Sequence, residues 1–253
     1  MKKLICTIVI GMIAGLVVAQ DAVMVQKQPS DVSVNADIGL YSAYVWRGQV
    51  LNDNMVAQPS VTAAYGPLSL NVWGNWNATD NAAQDTGEID YTAAYTLPLN
   101  TEAVTVDVGL IAYTFPGRGN GSAPTEEVFI KSTFNSIILT PVASLYYDVH
   151  EVNGWYGNLA LSQSVEISDA MTAEIGGSVG FGTGNYNNYY FGRNSSAVND
   201  CNIYVSTEYA LTEKLSVGAL LQYTMLGGGV DNSGNYEAND LVWGGINLSY
   251  KFL

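Results

Sequence analysis

The sequence is poor in charged residues, in basic residues and in cysteine, and each shortage excludes a class of protein. Charged residues make up 13% of the chain, about half the share that soluble domains usually carry. Nine Lys and Arg stand against 23 Asp and Glu, so the basic patches that bind phosphate backbones are missing and nucleic acid is excluded as a partner. Two cysteines and one histidine predict no disulfide framework, no metal site and no cofactor.

Long apolar runs are confined to the first residues. Lys2 and Lys3 precede an apolar stretch from Leu4 to Val18, and Val17-Val18-Ala19 forms a cleavage pattern. We therefore predict a secretory signal peptide over residues 1–19, with a cut after Ala22 or an uncleaved anchor as alternatives. The mature chain then has seven basic and 23 acidic residues, a formal charge of 7 − 23 = −16. No later apolar run reaches the ~18 residues that a membrane helix needs.

After residue 34 the dominant period of hydrophobicity is two. From Leu215 to Met225, apolar residues occupy every second position and small or polar residues occupy most of the others, which is the alternation of a β-strand. Similar segments predict about twelve strands of about ten residues, the length that a tilted strand needs to cross a bilayer. They are 35–46, 55–65, 68–77, 87–96, 103–114, 126–135, 138–149, 155–165, 172–182, 200–210, 215–225 and 240–253.

The connections between these segments alternate between short and long. Tight turns such as Gly66-Pro67 are followed by long loops rich in Gly, Asn and Asp, such as 116–125, 183–199 and 227–239. This asymmetry predicts a transmembrane antiparallel up-and-down β-barrel over residues 34–253, with both ends periplasmic. Residues 20–33 are then a short periplasmic segment, or a segment that enters the lumen. A secreted β-sandwich or jelly roll is the soluble alternative.

The final strand favours the outer membrane of a Gram-negative bacterium. Ile246, Leu248, Tyr250 and Phe252 alternate with polar residues, an aromatic-ended pattern like the signal read by the barrel-assembly machinery. The chain departs from that pattern by ending on Leu253. The predicted partners are therefore outer-membrane lipids and the assembly machinery.

The two strand faces predict two sets of functional residues. On the first predicted strand, Trp46 faces lipid at the membrane interface, and Arg47 faces the lumen near the outer rim, where it contacts a solute or pairs with a carboxylate. The predicted pore-lining residues are Asp37, Arg47, Asp90, Asp107, Glu127, Lys131, Asp148, Glu174, Glu208 and Lys251. The predicted aromatic girdle consists of Trp46, Trp76, Tyr95, Tyr209, Tyr223, Tyr250 and Phe252.

The first predicted strands also resemble a known family. Ile-Gly-Leu-Tyr-Ser-Ala-Tyr-Val-Trp-Arg-Gly-Gln, Gln58-Pro59-Ser60 and the Leu-Asn-Val-Trp-Gly-Asn-Trp-Asn of 70–77 are similar to the start of the TorF-type porin family. The family's Ser-x-Tyr-x-x-Arg-Gly segment is matched by Ser42, Tyr44, Arg47 and Gly48. The resemblance implies an outer-membrane barrel with a pore role and no defined substrate, and it covers about one sixth of the chain.

These observations predict a porin-like channel for passive diffusion of ions or small solutes, with a weak preference for cations. The excess of inward carboxylates predicts the preference, unless those groups pair within the wall. Twelve strands lie between filled eight-stranded barrels and the aqueous channels of 16 to 18 strands, so the pore is expected to be narrow. The alternatives are a non-conducting barrel that binds partners through its long loops and an outer-membrane hydrolase. His150, the one histidine, has no recognisable nucleophile near it in the sequence, so no enzyme is predicted.

Overall fold

Twelve antiparallel strands form a closed barrel in the computed structural model, which describes residues 32–79, 87–116, 123–230 and 240–253. A hairpin and a short helix lie in two of the connections. The predicted signal peptide and nearly all of the 20–33 segment lie outside the described residues. The elements are β1 (Ser33–Tyr41), β2 (Tyr44–Trp46), β3 (Gln49–Asn52), β4 (Val56–Tyr65), β5 (Leu68–Asn77), β6 (Glu88–Thr96), β7 (Val104–Thr114), β8 (Thr125–Phe134), β9 (Val142–Asp148), β10 (Trp155–Ser168), β11 (Met171–Gly182), α1 (Gly184–Phe191), β12 (Ala197–Ala210), β13 (Leu215–Leu226) and β14 (Leu241–Lys251).

The barrel closes by pairing its first and last strands. β1 pairs with β14 from Asn35↔Lys251 to Tyr41↔Gly245, and with β4 on its other side. Every other barrel strand pairs with its neighbours in the chain. This is the predicted up-and-down barrel with an even strand count, and the twelve-strand prediction is confirmed.

The connections differ in length at the two ends of the barrel. At one end, turns such as Gly66-Pro67 and Asp169-Ala170 join adjacent strands. At the other end lie the longer connections, including 42–55 and 183–196. The chain thus has a short-turn end, which also holds both ends of the barrel domain, and a long-loop end, as the sequence pattern predicts.

The two faces of the wall have opposite chemistry. Large apolar side chains such as Leu70, Leu110 and Ile246 are exposed on the outer face of the strands. Polar and charged side chains such as Asp90, Asn202 and Gln222 are buried on the inner face. A continuous apolar exterior of this kind is the surface that lipid covers in a transmembrane barrel.

The first strand is shorter than its pattern predicts, and Trp46 is not a girdle residue. β1 ends at Tyr41, and residues 44–52 form the separate hairpin β2–β3. Its two-residue turn consists of Arg47 and Gly48, with φ of 46° and 83°, the left-handed geometry of hairpin turns. Trp46 is 9% exposed within the aromatic interior. Its alternation with Tyr44 is real strand alternation, but it belongs to a hairpin folded into the lumen.

A short helix was also not predicted from the sequence. α1 begins after Thr183, whose extended backbone precedes the first turn, and ends at Gly192 with a φ of 66°. Its Asn-rich sequence has weak helix propensity, and burial of Tyr186, Asn187 and Phe191 against the barrel stabilises it instead. Within the described ranges, no helix has the length and apolarity needed to span a bilayer.

The outer face predicts the effect of a charge placed in it. Leu110 lies midway along β7 and is exposed. Leu110→Arg should lower the free energy of unfolding by about 2–4 kcal/mol, because an arginine at mid-depth faces hydrocarbon. Leu68→Arg, at the end of β5 beside a short turn, should cost about 0–1 kcal/mol. Urea titration of both variants refolded in lipid vesicles measures the difference, and equal costs would contradict the membrane register.

Candidate functional site

A buried ion pair joins the β2–β3 hairpin to the far wall of the barrel. The Arg47 Nη1 and Nη2 atoms donate to Glu127 Oε1 and Oε2 of β8 at 2.8 and 2.6 Å. The two side chains are 8% and 2% exposed. The bidentate geometry is the strongest form of the arginine–carboxylate contact. Of the two roles expected for Arg47, contact with a solute or pairing with a lumen carboxylate, the structure shows the pairing. Arg47 reaches Glu127 from a hairpin and not from the end of a strand.

Aromatic rings enclose the Arg47 guanidinium. Its Cζ atom lies 4.5 Å from the ring centroids of Trp46 and Tyr146, 4.4 Å from that of Tyr156 and 5.9 Å from that of Tyr186. A cation at these distances is attracted by the negative faces of the rings. Burial alone would lower the pKa of Arg47, but the Glu127 carboxylate and the neighbouring tyrosines hold it well above its ordinary value. Arg47 is therefore always charged.

Other contacts fix the hairpin on two further sides. The Tyr44 hydroxyl donates to Glu88 Oε2 of β6 at 3.0 Å. On the opposite side the backbone of Gly48 passes so close to β12 that a Cβ there would lie 2.6 Å from the Asp200 Cβ. The close approach and the left-handed φ both require glycine at position 48.

The carboxylates around the hairpin have hydroxyl partners from the wall. The Tyr113 hydroxyl donates to Glu127 Oε2 at 2.9 Å, and the Tyr156 hydroxyl donates to Asp200 Oδ2 at 2.9 Å. Asn202 donates to Asp200 Oδ1, also at 2.9 Å. These bonds set the positions of the acidic groups, so the hairpin turn inserts into a prearranged polar site.

The helix α1 packs on the same cluster from the long-loop end. Tyr190 lies 5.1 Å from Trp46 between ring centroids, and Tyr186 lies 5.4 Å from Tyr156. The Asn187 amide donates to the carbonyls of Gly182 and Ser195. Burial raises the pKa of the Tyr186 and Tyr190 hydroxyls, so both rings stay neutral. The hairpin and α1 together form what we call the upper plug, residues 42–55 and 184–191.

Below the upper plug the lumen contains a cavity of about 800 Å³ that reaches the short-turn end. Tyr41 and Trp73 line it near the plug, and Glu213 and Lys214 line it at the β12–β13 turn. The remaining charged lining residues are Asp37, Glu174, Glu208 and Lys251. The barrel is thus closed by side chains in its upper half and open in its lower half.

The predicted pore-lining residues divide between these two halves. Four line the lower cavity: Asp37, Glu174, Glu208 and Lys251. Arg47 and Glu127 form the ion pair of the upper plug. The other four lie along the wall strands β6 to β9: Asp90, Asp107, Lys131 and Asp148.

The wall carboxylates have structural partners. The Asp107 carboxylate accepts from Thr96 Oγ1 at 2.6 Å and lies opposite Lys131 in the β7–β8 register. Asp148 is fully buried and accepts from Thr125 Oγ1 and from the backbone N–H of Val152. These contacts favour the alternative that some inward charges support the wall.

Four residues that form or contact the upper plug were not predicted from the sequence: Tyr44, Glu88, Tyr186 and Asp200. Glu88 and Asp200 lie two residues from Asp90 and Asn202, and extending the strand alternation by one step would have assigned both to the inner face. The alternation of β1, continued to Trp46, would place Tyr44 on the lipid face with it, whereas Tyr44 is buried in the lumen. The sequence gives no indication that Tyr186 is buried, because the loop that contains it shows no regular alternation of apolar and polar residues.

The remaining predicted girdle aromatics are exposed on the outer face. Trp76 and Tyr223 lie near the long-loop end. Tyr95, Tyr209, Tyr250 and Phe252 lie near the short-turn end. Two bands of aromatic residues flanking an apolar zone are typical of transmembrane barrels, and the girdle assignment of these six stays a prediction.

His150 lies outside the barrel interior. Its Nδ1 atom is 2.9 Å from Glu126 Oε2, its Nε2 atom is 3.8 Å from Glu151 Oε1, and its side chain is half exposed. Neither partner is a nucleophile that a histidine base would activate. In the part of the chain that the structure describes, no group of three His, Cys, Asp or Glu residues is placed to hold a metal ion.

One protein-family model matches most of the chain. Residues 25–217 match the model of Gcw_chp, a bacterial protein of unknown function. The chain belongs to the Gcw_chp family. The match does not confirm the resemblance to the TorF-type family. The matched region of this Gcw_chp protein includes the hairpin, α1 and most of the barrel strands. No curated protein matches the chain.

Solved structures of outer-membrane channels share the fold. The KdgM porin superposes with a TM-score of 0.53 at 8% identity, covering 87% of this chain and 99% of its own. The NanC porin gives 0.54 at 12% identity, covering 87% and 100%. The COG4313 outer membrane channel from Pseudomonas putida F1 gives 0.52 at 9% identity, covering 93% and 100%. At these identities the likeness establishes the fold.

The Arg47–Glu127 pair predicts a measurable opening of the hairpin. Glu127→Gln should weaken a charge-assisted pair by about 1.5–3 kcal/mol, which raises the population of the displaced hairpin by about 10- to 100-fold. Trypsin cleavage after Arg47 tracks this population when opening is fast, and mass spectrometry identifies the cut. Glu208→Gln, at the cavity mouth, should leave cleavage unchanged. Equal rates in both variants would contradict the role of the pair.

Proposed function

We propose that this Gcw_chp protein is an outer-membrane channel of a Gram-negative bacterium that passes ions and small solutes by passive diffusion, with a preference for cations. The observation that carries the proposal is the cavity of about 800 Å³ inside a closed barrel. A barrel with a purely structural role does not need a cavity with charged and polar lining residues in its lumen. Side chains fill small barrels, whereas larger ones enclose cavities or channels.

The charges along the lumen support the cation preference. Four carboxylates and two lysines line the lower cavity. In the upper half the buried carboxylates outnumber Arg47, and they are Glu88, Asp90, Glu127, Asp148 and Asp200. An excess of negative charge along a narrow lumen concentrates cations and repels anions.

The upper plug supports a small conductance. Tyr44, Trp46 and Tyr186 occupy the barrel at the level of Glu88 and Glu127. Solutes that enter from the long-loop end therefore meet a constriction before they reach the lower cavity. Loops folded inward in this way set the size limit of a channel.

The fold and the resemblance of the first strands agree with a channel. The structural neighbours are named as porins or as an outer membrane channel, and one KdgM structure is described as a complex with disordered oligogalacturonate. Ser42, Tyr44, Arg47 and Gly48 also match the TorF-type segment. Oligogalacturonate is a polyanion, so the acidic lumen of this chain disfavours a ligand of that class here.

A non-conducting surface barrel is the second candidate. The observation that favours it is the upper plug itself, because the Arg47–Glu127 pair and the surrounding rings fill the lumen at that level. The folded, inserted protein should carry current across a bilayer if it is a channel and should carry none if it is a surface barrel.

Single-channel recording in a planar bilayer tests the proposal. The refolded mature protein should give discrete current steps, and a salt gradient should give a reversal potential of the sign expected for cation passage. The double variant Glu174→Gln, Glu208→Gln removes two cavity carboxylates and should shift the reversal potential toward zero. Asp169→Asn, a turn residue at the same end of the barrel and outside the cavity lining, is the matched control. Silence from folded, inserted protein would overturn the channel and favour the surface barrel.

Removal of the helix tests the role of the plug. Deletion of residues 185–195 removes most of α1 and the segment that follows it, and the conductance should rise because Tyr186 and Phe191 no longer fill the upper lumen. Heat-modifiable migration on a gel verifies that the deleted protein is folded. An unchanged conductance would show that α1 does not limit the current.

A further inference from the structure

We propose that the cage around Arg47 is a binding site for guanidinium-type organic cations, and that Arg47 is an internal ligand occupying it when the channel is closed. The inference rests on the proposed channel function and names the solute class that its upper lumen recognises. Arg47 then acts as a self-ligand, and a solute cation that displaces it releases the hairpin.

The binding groups belong to the barrel and the ligand belongs to the loop. Glu127 is on β8, Tyr146 on β9 and Tyr156 on β10. Tyr186 on α1 completes the cage from above. Of the rings around the guanidinium, Trp46 alone comes from the hairpin. If the hairpin leaves, the carboxylate and three of the four rings remain in place.

The arrangement fits a planar cation better than a spherical one. Two parallel N–H groups reach the two oxygens of Glu127 at 2.8 and 2.6 Å, which a guanidinium fork supplies and an ammonium ion does not. Tyrosine faces 4.4 and 4.5 Å from Cζ stack on a flat, weakly hydrated cation. An alkali ion would lose its water shell in this cage without gaining equivalent ligands.

Exchange with a solute avoids an uncompensated buried charge. With the hairpin in place Glu127 is 2% exposed. Opening the hairpin alone removes its cation, and a carboxylate that stays within the cage without one is the costly state of a broken buried pair. A bound solute guanidinium keeps Glu127 paired, while Arg47 moves into water. The Asp200 carboxylate, held by Tyr156 and Asn202, adds a second negative group beside the site.

The tether sets the concentration at which a solute competes. A ligand on a short loop has an effective concentration in the millimolar range. A free guanidinium must therefore reach a comparable or higher concentration to displace Arg47. Other monovalent cations at the same ionic strength lack the fork and the flat face, so they should not open the hairpin.

Methylguanidinium chloride in planar-bilayer recordings provides the test, with methylammonium chloride at equal concentration as the control ion. In the wild-type protein, methylguanidinium at about 100 mM, well above millimolar tether concentrations, should raise the open fraction at least about twofold in a saturable manner. Methylammonium should not. Arg193→Ala, which removes an exposed loop arginine, should respond like the wild type. Equal responses to both ions would overturn the proposal.

The Arg47→Ala variant isolates the empty cage. It should conduct without added ligand, and methylguanidinium should now reduce the current by filling the site. Arg47→Lys retains the charge without the fork and should open at a lower methylguanidinium concentration than the wild type. In Glu127→Gln the affinity of the site for methylguanidinium should fall by about tenfold or more, since a charge-assisted pair is removed. A response retained in Glu127→Gln would overturn the assignment of the site.

A stability measurement separates failure of the site from failure of the channel. Methylguanidinium bound to the folded Arg47→Ala protein should raise its urea midpoint, and methylammonium should raise it less. The shift should disappear in the Arg47→Ala, Glu127→Gln double variant. A shift from a protein that carries no current would support the site and overturn the channel. Current without a guanidinium-specific shift would overturn the site alone.

Discussion

Closure of the sheet is the constraint from which the rest of the molecule follows. In a bilayer there is no water to satisfy an open strand edge, so every backbone N–H and C=O must find a partner in the wall. The pairing of β1 with β14 removes the two edges that a twelve-strand sheet would otherwise expose. Closure also divides each strand into one face toward lipid and one toward the lumen, which gives the period of two along the chain.

Closure of the sheet encloses a lumen, and segments outside the twelve wall strands fill part of it. The lower lumen holds a cavity lined by charged and polar side chains together with rings such as Tyr41 and Trp73, whereas the upper lumen is filled by two connections. The filling segments are attached by polar contacts and ring faces. The inner wall at that level is dense in carboxylates, and a loop that carries a guanidinium and several aromatic rings neutralises and covers it.

The wall was predictable because its signal is repeated. Each strand shows the same alternation, and the turns at the two ends differ in length, so errors in single segments did not change the architecture. The strand faces also identified Glu127, Asp148 and Glu174 as inward. The register could equally have identified Glu88 and Asp200, had the alternation been followed to the ends of β6 and β12.

The contents of the lumen were not predictable in the same way. The alternation of Tyr44 and Trp46 continues that of β1, and nothing in the local pattern shows that the chain leaves the wall at Ser42. The left-handed turn at Arg47 and Gly48 is a weak signal, since Arg is not a usual residue for that conformation. α1 depends on contacts with distant strands and not on its own propensity. Long-range packing determines these elements.

The order of residues around the ion pair has a consequence for assembly. Arg47 and Glu127 are 80 positions apart, and the Tyr146, Tyr156 and Tyr186 rings of the cage come from strands and a helix that follow the hairpin in the chain. The hairpin is therefore synthesised before any part of its receptor exists. Contacts between positions so far apart form late, because the loop between them must be ordered first. The hairpin can therefore take its final position only when β8, β9, β10 and α1 are in place around Arg47.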